Sequence, residues 1–166
     1  YMHGVHVVGG SNPLAPTIQY LSNSYISISM TSTDKSIEYF GLKIPFLAHL
    51  GVVPEYAKDG KSRISLEIRP EYENSFGIAH GGVIMTLLDF AMGAAARSTT
   101  DIPLGAMTID MTVSFLRPSV GKIAVEGTIL KPGKTINYCE AIVLNEAGEI
   151  TAKSSGTFML RKSSAP

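Results

Sequence analysis

The apolar residues of this chain follow two different rhythms. Across 81–97 they fill almost every position: Val83, Ile84, Met85, Leu87, Leu88, Phe90, Ala91, Met92, Ala94, Ala95 and Ala96 leave almost no polar face. A helix that is hydrophobic all round is a buried helix, and this one is too short and too interrupted to span a bilayer. Elsewhere the period is two. Ile64, Leu66 and Ile68 alternate with Ser65 and Glu67, and Met107, Ile109, Met111, Val113 and Phe115 alternate with Thr108, Asp110, Thr112 and Ser114. That is the mark of strands with one dry face.

Turn chemistry divides the rest. Residues 51–58 and 62–69 read as strands joined at Asp59-Gly60, and 123–130, 136–144 and 150–160 as strands separated by Pro132-Gly133 and Glu146-Ala147-Gly148-Glu149. The stretch 37–50 has an irregular helical pattern broken by Gly41 and Pro45, which predicts one or two short helices. Hairpin-linked strands around one buried helix predict an α+β domain, a curved antiparallel sheet wrapped about that helix. Such a sheet keeps open edges, and pairing with a second copy closes them.

Composition sharpens this in a few respects. Lys+Arg and Asp+Glu number 14 each, so no bulk charge draws the chain to nucleic acid or to an anionic membrane. With 45% hydrophobic and 17% charged residues the chain is apolar for one domain, in keeping with a subunit interface. Cys139 is the sole cysteine and sits in a strand-like run, so it reads as a core residue; no intrachain disulfide is possible, and a cytoplasmic location is expected. Residues 1–33 contain no Asp, Glu, Lys or Arg, and read as an extension or leader, or else as a covering strand, before a domain at 34–166.

Within that buried helix stands a carboxylate. Between Glu73 and Arg97 the only formally charged residue is Asp89, in mid-helix, where it has poor propensity and no capping role. Burying it costs several kcal/mol unless it is paired, hydrogen-bonded or protonated. Two readings follow, a reactive group or a carboxylate satisfied at a subunit interface. Ahead of the helix stands Asn74-Ser75-Phe76-Gly77-Ile78-Ala79-His80-Gly81-Gly82. Free N–H groups and the positive dipole end at a helix start suit a polarised carbonyl, although a glycine-rich turn into the helix has the same look. His80 reads as a proton carrier or as a hydrogen-bonded loop histidine. Gly81 and Asp89 are eight positions apart, about 12 Å along one helix. A general base works at about 3 Å from its proton. If both residues serve one reaction centre, they come from different subunits.

Taken in order, Asn74-x-x-Gly77-x-x-His80-Gly81-Gly82, Leu88-Asp89, Gly105-x-x-Thr108-x-Asp110-Met111, Phe115-Leu116-Arg117-Pro118 and Lys131-Pro132-Gly133-Lys134-Thr135 resemble the PaaI-like thioesterases of the phenylacetate-pathway type, over about residues 40–160. The resemblance implies a hotdog fold, a homodimer that pairs into a homotetramer, and hydrolysis of acyl-coenzyme A. It places the catalytic carboxylate on Asp89 and the carbonyl-polarising N–H on Gly81, preceded by His80. It also puts an orienting amide on Asn74 and a water-positioning hydroxyl on Thr108, with Asp110 bracing the strand. Relatives acting on hydroxybenzoyl groups carry a glutamate at the Asp89 position and a threonine one turn later; here Asp89 and Gly93 stand instead, so that substrate is not transferred.

Gly82, Arg117, Lys131 and Lys134 are the expected contacts to the coenzyme A part of the substrate. No metal or separate cofactor is expected. Aryl and medium-chain acyl groups are both compatible. Two other classes compete: a non-catalytic acyl-coenzyme A sensor, which has no need of Asp89, and a hydratase, which calls for an Asp/His pair not found at the matching places.

Overall fold

The computed structural model describes residues 37–100 and 104–162; the uncharged stretch 1–33 lies outside them. The chain runs α1 (Pro45–Leu50), β1 (Val53–Lys58), β2 (Lys61–Glu67), a single 3-10 turn (Pro70–Tyr72), α2 (Gly81–Arg97), β3 (Leu104–Phe115), β4 (Lys122–Lys131), β5 (Ile136–Leu144) and β6 (Ile150–Lys162). The six strands form one sheet in the order β1-β2-β4-β5-β6-β3, and every pairing is antiparallel. This is the α+β arrangement that the two hydrophobic periods predict. No helix among the described residues is long and apolar enough to cross a membrane.

The sheet curls around α2 because small residues let the two approach. Leu87, Leu88, Ala91, Met92, Ala95 and Ala96 of the helix are buried together with Ile64, Leu66, Ile123, Val125, Val143 and Phe158 of the strands. At the closest crossing, a Cβ on Gly127 of β4 would lie 2.4 Å from the Ala91 carbonyl oxygen. The buried Ser62 hydroxyl of β2 donates to that same oxygen at 2.6 Å. Cys139 is buried in β5, and burial raises its thiol pKa to about 11, as a core residue requires.

Three features depart from the pattern read in the sequence. First, α2 is not covered all round. Gly82 and Met85 are exposed and Gly81 and Asp89 only half-buried, so the stripe Gly81, Met85, Asp89 faces the open β3 side of the sheet. Second, 37–50 yields one short helix, within the expectation, but residues 39–42 ahead of it form a tight turn. Phe40 and Gly41 there have φ of 54° and 80°, and Tyr39 and Leu42 exchange backbone hydrogen bonds. Third, β3 does not alternate strictly. Its register against β6 slips between Thr108 and Asp110, where one extra residue is accommodated. The slip moves Ala106 and Thr108 onto the helix-facing side with Met111, Val113 and Phe115, while Met107 and Ile109 turn outward, 50% and 52% exposed.

The two sheet edges differ in kind. β1 is six residues long, contains Pro54 and carries its own irregularity between Pro54 and Tyr56, the usual defences of a free edge. β3 is twelve residues long and, among the described residues, has a partner only on its β6 side. Gly127→Ala is expected to lower stability by about 2 kcal/mol or more, because backbone faces the new Cβ. A drop in the urea midpoint at unchanged m-value checks this; an unchanged midpoint contradicts the packing argument.

Candidate active site

The loop before α2 is held by its own backbone. His80 N–H donates to Tyr72 O at 2.7 Å, Ala79 N–H to Ser119 O at 2.9 Å, and Asn74 N–H to Ile78 O at 2.8 Å. Gly77, with φ of 69°, turns the chain between them. Asn74 Oδ1 accepts from Phe76 N–H at 2.9 Å, which leaves its Nδ2 as the group able to donate outward.

Helix starts leave four amides without helical partners, and here three are provided for. His80 N–H goes to Tyr72 O as above, His80 Nδ1 accepts from Gly82 N–H at 3.0 Å, and His80 O accepts from Val83 N–H at 2.9 Å; the helical ladder begins with Ile84 N–H to His80 O at 3.3 Å. Gly81 N–H has no acceptor among the described residues. It opens on a cavity of about 200 Å³ lined by Asn74, Ile84, Phe115 and Arg117. The position is close-packed but not closed to a side chain: a Cβ there would sit 3.3 Å from the ring of the exposed Phe115, which can yield by a few tenths of an ångström. An amide without a partner at the positive end of a helix dipole is suited to hold a carbonyl oxygen as it gains charge.

Two turns along α2, Asp89 Oδ1 accepts a hydrogen bond of 2.6 Å from Thr108 Oγ1. The bulge makes this contact possible by turning Thr108 towards the helix, and Gly156 of β6 makes the bulge possible. A Cβ on Gly156 would lie 2.7 Å from the Asp110 carbonyl oxygen. Beside Asp89 lies a second cavity, of about 100 Å³, between α2 and β3. Leu42 and Ile44 roof it, carried by the turn at 39–42. Phe40 stacks on Phe90 with ring centroids 6.1 Å apart, and Arg97 Nη2 donates to Phe40 O at 3.1 Å. Burial lowers the Arg97 pKa from its usual value.

Asn74, Gly81 and Arg117 therefore share one cavity, and Asp89 and Thr108 share another. Arg117 is exposed and also donates to Ile150 O at 2.9 Å. Other residues singled out in the sequence stand elsewhere: His80 and Gly82 line a different groove, with Phe46, His49 and Tyr72, and the His80 ring is occupied as the helix cap. Lys131 pairs with Tyr138 on the sheet face away from α2, because an irregularity between Ile129 and Lys131 turns it outward; Lys134 is exposed in the adjoining turn. Asp110 is exposed on that outer side. Sequence reading missed Phe115, Gly156 and the Leu42–Ile44 roof. The lone glycine in β6 was the available signal, since glycine inside a strand often marks a bulge or a close approach.

The chain and its fold have relatives among known proteins. Residues 76–152 match the model of the thioesterase superfamily. A protein of Halobacterium salinarum named as an esterase is 35% identical over 112 residues, 64% of this chain and 74% of that protein. Human acyl-coenzyme A thioesterase 13 is 28% identical over 104 residues, 61% of this chain and 74% of its own length. A thioesterase-family crystal structure from Silicibacter pomeroyi superposes with a TM-score of 0.66 at 26% identity, covering 70% of this chain and 89% of that one. The chain belongs to the thioesterase superfamily, and it is a thioester hydrolase built on the hotdog fold.

Proposed function

We propose that this chain hydrolyses acyl-coenzyme A thioesters at a site shared between two subunits. The observation that carries the reading is the separation of the two half-sites. Gly81 N–H and Asp89 lie at different points of one rigid helix, about 12 Å apart, so neither can reach a carbonyl held by the other within the same chain. The long free edge of β3 supplies the way to unite them. A second copy pairs antiparallel with it about a two-fold axis. If the bulge counts as one step, setting Thr108 opposite the partner's Phe115 puts Thr112 opposite the partner's Thr112. The same axis passes Met85, midway between Gly81 and Asp89 on α2 and 43% exposed. The partner's Gly81 then comes level with Asp89.

In this assembly the thioester oxygen accepts from the partner's Gly81 N–H, and the partner's Asn74 amide steadies the substrate. Thr108 holds one oxygen of Asp89, and the other takes a proton from water as the water oxygen bonds to the carbonyl carbon. Collapse of the tetrahedral intermediate breaks the C–S bond and releases coenzyme A and the free acid. Direct attack by Asp89, with water opening the mixed anhydride, uses the same groups. Arg117, beside Gly81, is the cation best placed for the coenzyme A phosphates, and Lys134 follows from its exposed turn. Dimers pair further into tetramers, supported by the outward apolar row of Met107, Ile136 and Tyr138.

Two measurements test this. Thiol release from acyl-coenzyme A is expected to fall by about a thousandfold or more in Asp89→Asn, and by about tenfold to a hundredfold in Thr108→Val. Full activity in Asp89→Asn removes the carboxylate from the mechanism, and tight binding without cleavage in the wild type favours the sensor reading. In a Cys139→Ser background, Thr112→Cys is expected to form a disulfide-linked dimer on mild oxidation, since opposed residues have Cα atoms about 5 Å apart. Ser114→Cys is expected not to. The reverse pattern contradicts the β3 pairing.

A further inference from the structure

The cavity beside Asp89 is a partly open pocket under the central helix. It runs from the Asp89–Thr108 pair along α2, past Gly93, to Arg97, between the roof of Leu42 and Ile44 and the floor of Ala106 and Phe158. Apart from the groups at its mouth and far end, the walls are hydrocarbon. The far end is fixed, because Arg97 is tied to the Phe40 carbonyl and Phe40 is stacked on Phe90. The opposite side of the reaction centre is where the partner's Asn74, Gly81 and Arg117 would enter with the polar coenzyme A arm. An apolar pocket opening at the reacting carboxylate is thus left for the acyl tail.

Size follows from the volume. About 100 Å³ is two-thirds of the ~150 Å³ known to hold a six-carbon benzene ring, which scales to about three or four carbons. Length is set at Gly93. This glycine lies one turn beyond Asp89 on the same helix face and is fully covered. A Cβ there would point at Ala106 Cβ, 3.4 Å away, and at Phe158 ring carbons 3.7 and 3.8 Å away. Those are ordinary contact distances, so an added methyl occupies cavity space without forcing the backbone.

Building on the thioesterase reading above, we propose that this cavity is the acyl seat and that Gly93 is its specificity-determining residue, selecting a compact aliphatic acyl group with about three carbons beyond the carbonyl. Aryl and medium-chain groups, left open by the sequence, exceed it.

The experiment pairs turnover with binding. Turnover of acetyl-, butanoyl-, octanoyl- and phenylacetyl-coenzyme A is measured in the wild type, Gly93→Ala and Gly93→Leu, alongside affinities for the matching non-hydrolysable S-alkyl thioethers. In the wild type, kcat/KM is expected to rise about fourfold per carbon up to butanoyl and to fall at least tenfold for octanoyl and phenylacetyl. Gly93→Ala is expected to cut butanoyl turnover about tenfold and leave acetyl within twofold. Gly93→Leu is expected to abolish the butanoyl preference, with the folded state checked by its thermal midpoint. Thioether affinities are expected to follow the same order.

Equal turnover of octanoyl and butanoyl, or a butanoyl-to-acetyl ratio untouched in both variants, overturns the acyl seat and leaves the thioesterase reading standing. Thioethers that bind with the expected length limit, while no thioester is cleaved, overturn the thioesterase reading and keep the seat. A protein that neither binds nor cleaves overturns both.

Discussion

Everything in this molecule turns on a distance that cannot change. A rigid helix, α2, carries both an amide with no protein acceptor at Gly81 and a hydroxyl-braced carboxylate at Asp89, and eight residues of α-helix separate them by about 12 Å. No rotamer closes such a gap. The helix itself cannot bend to do so, because Gly127 and Ser62 clamp its Ala91 carbonyl against the sheet and Leu87, Leu88 and Met92 are fully buried around it. On the reading proposed above these are two half-sites, and β3, the long strand with an open edge among the described residues, runs along both. In that reading the exposed stripe of α2 and the edge of β3 serve the same second copy.

Local strain-relieving glycines do the aiming. Gly156 admits the Asp110 carbonyl, which admits the bulge, which turns Thr108 to Asp89. Gly81 admits the Phe115 ring, which walls the other half-site. Neither glycine has a positive φ, so their use lies in close approach rather than in backbone freedom. The helix cap has a similar selectivity. By taking the Gly82 amide, the His80 ring leaves Gly81 as the single first-turn donor without an acceptor among the described residues.

Much of this architecture was legible in the residues. The shift from a period of two to an unbroken apolar run located α2 and the strands within a residue or two. Asp59-Gly60, with φ of 51° and 76°, made the turn that its composition announces. The 12 Å argument needed only helix geometry. What stayed hidden depends on register. An extra residue in a strand leaves no mark on a simple alternation, so Met107 and Ile109 looked like core positions. The exposed face of α2 was equally invisible, because Met85 there is as apolar as the residues buried around it. The turn at 39–42 is held by ring stacking and by the Arg97 side chain, contacts between residues far apart in sequence.

Subunit complementation tests the shared site most directly. Gly81→Pro removes the one amide in question at a helix position that accepts proline, after a residue already extended at φ −61° and ψ 136°. Asp89→Asn removes the carboxylate. Each variant alone is expected to be inactive. Refolded together in equal amounts, they form hybrid dimers in which one site has both native groups, and activity is expected to return to about a quarter of wild type. If the mixture stays as inactive as its components while hybrid dimers are shown to form, the two groups act within one chain and the account of a shared site is wrong.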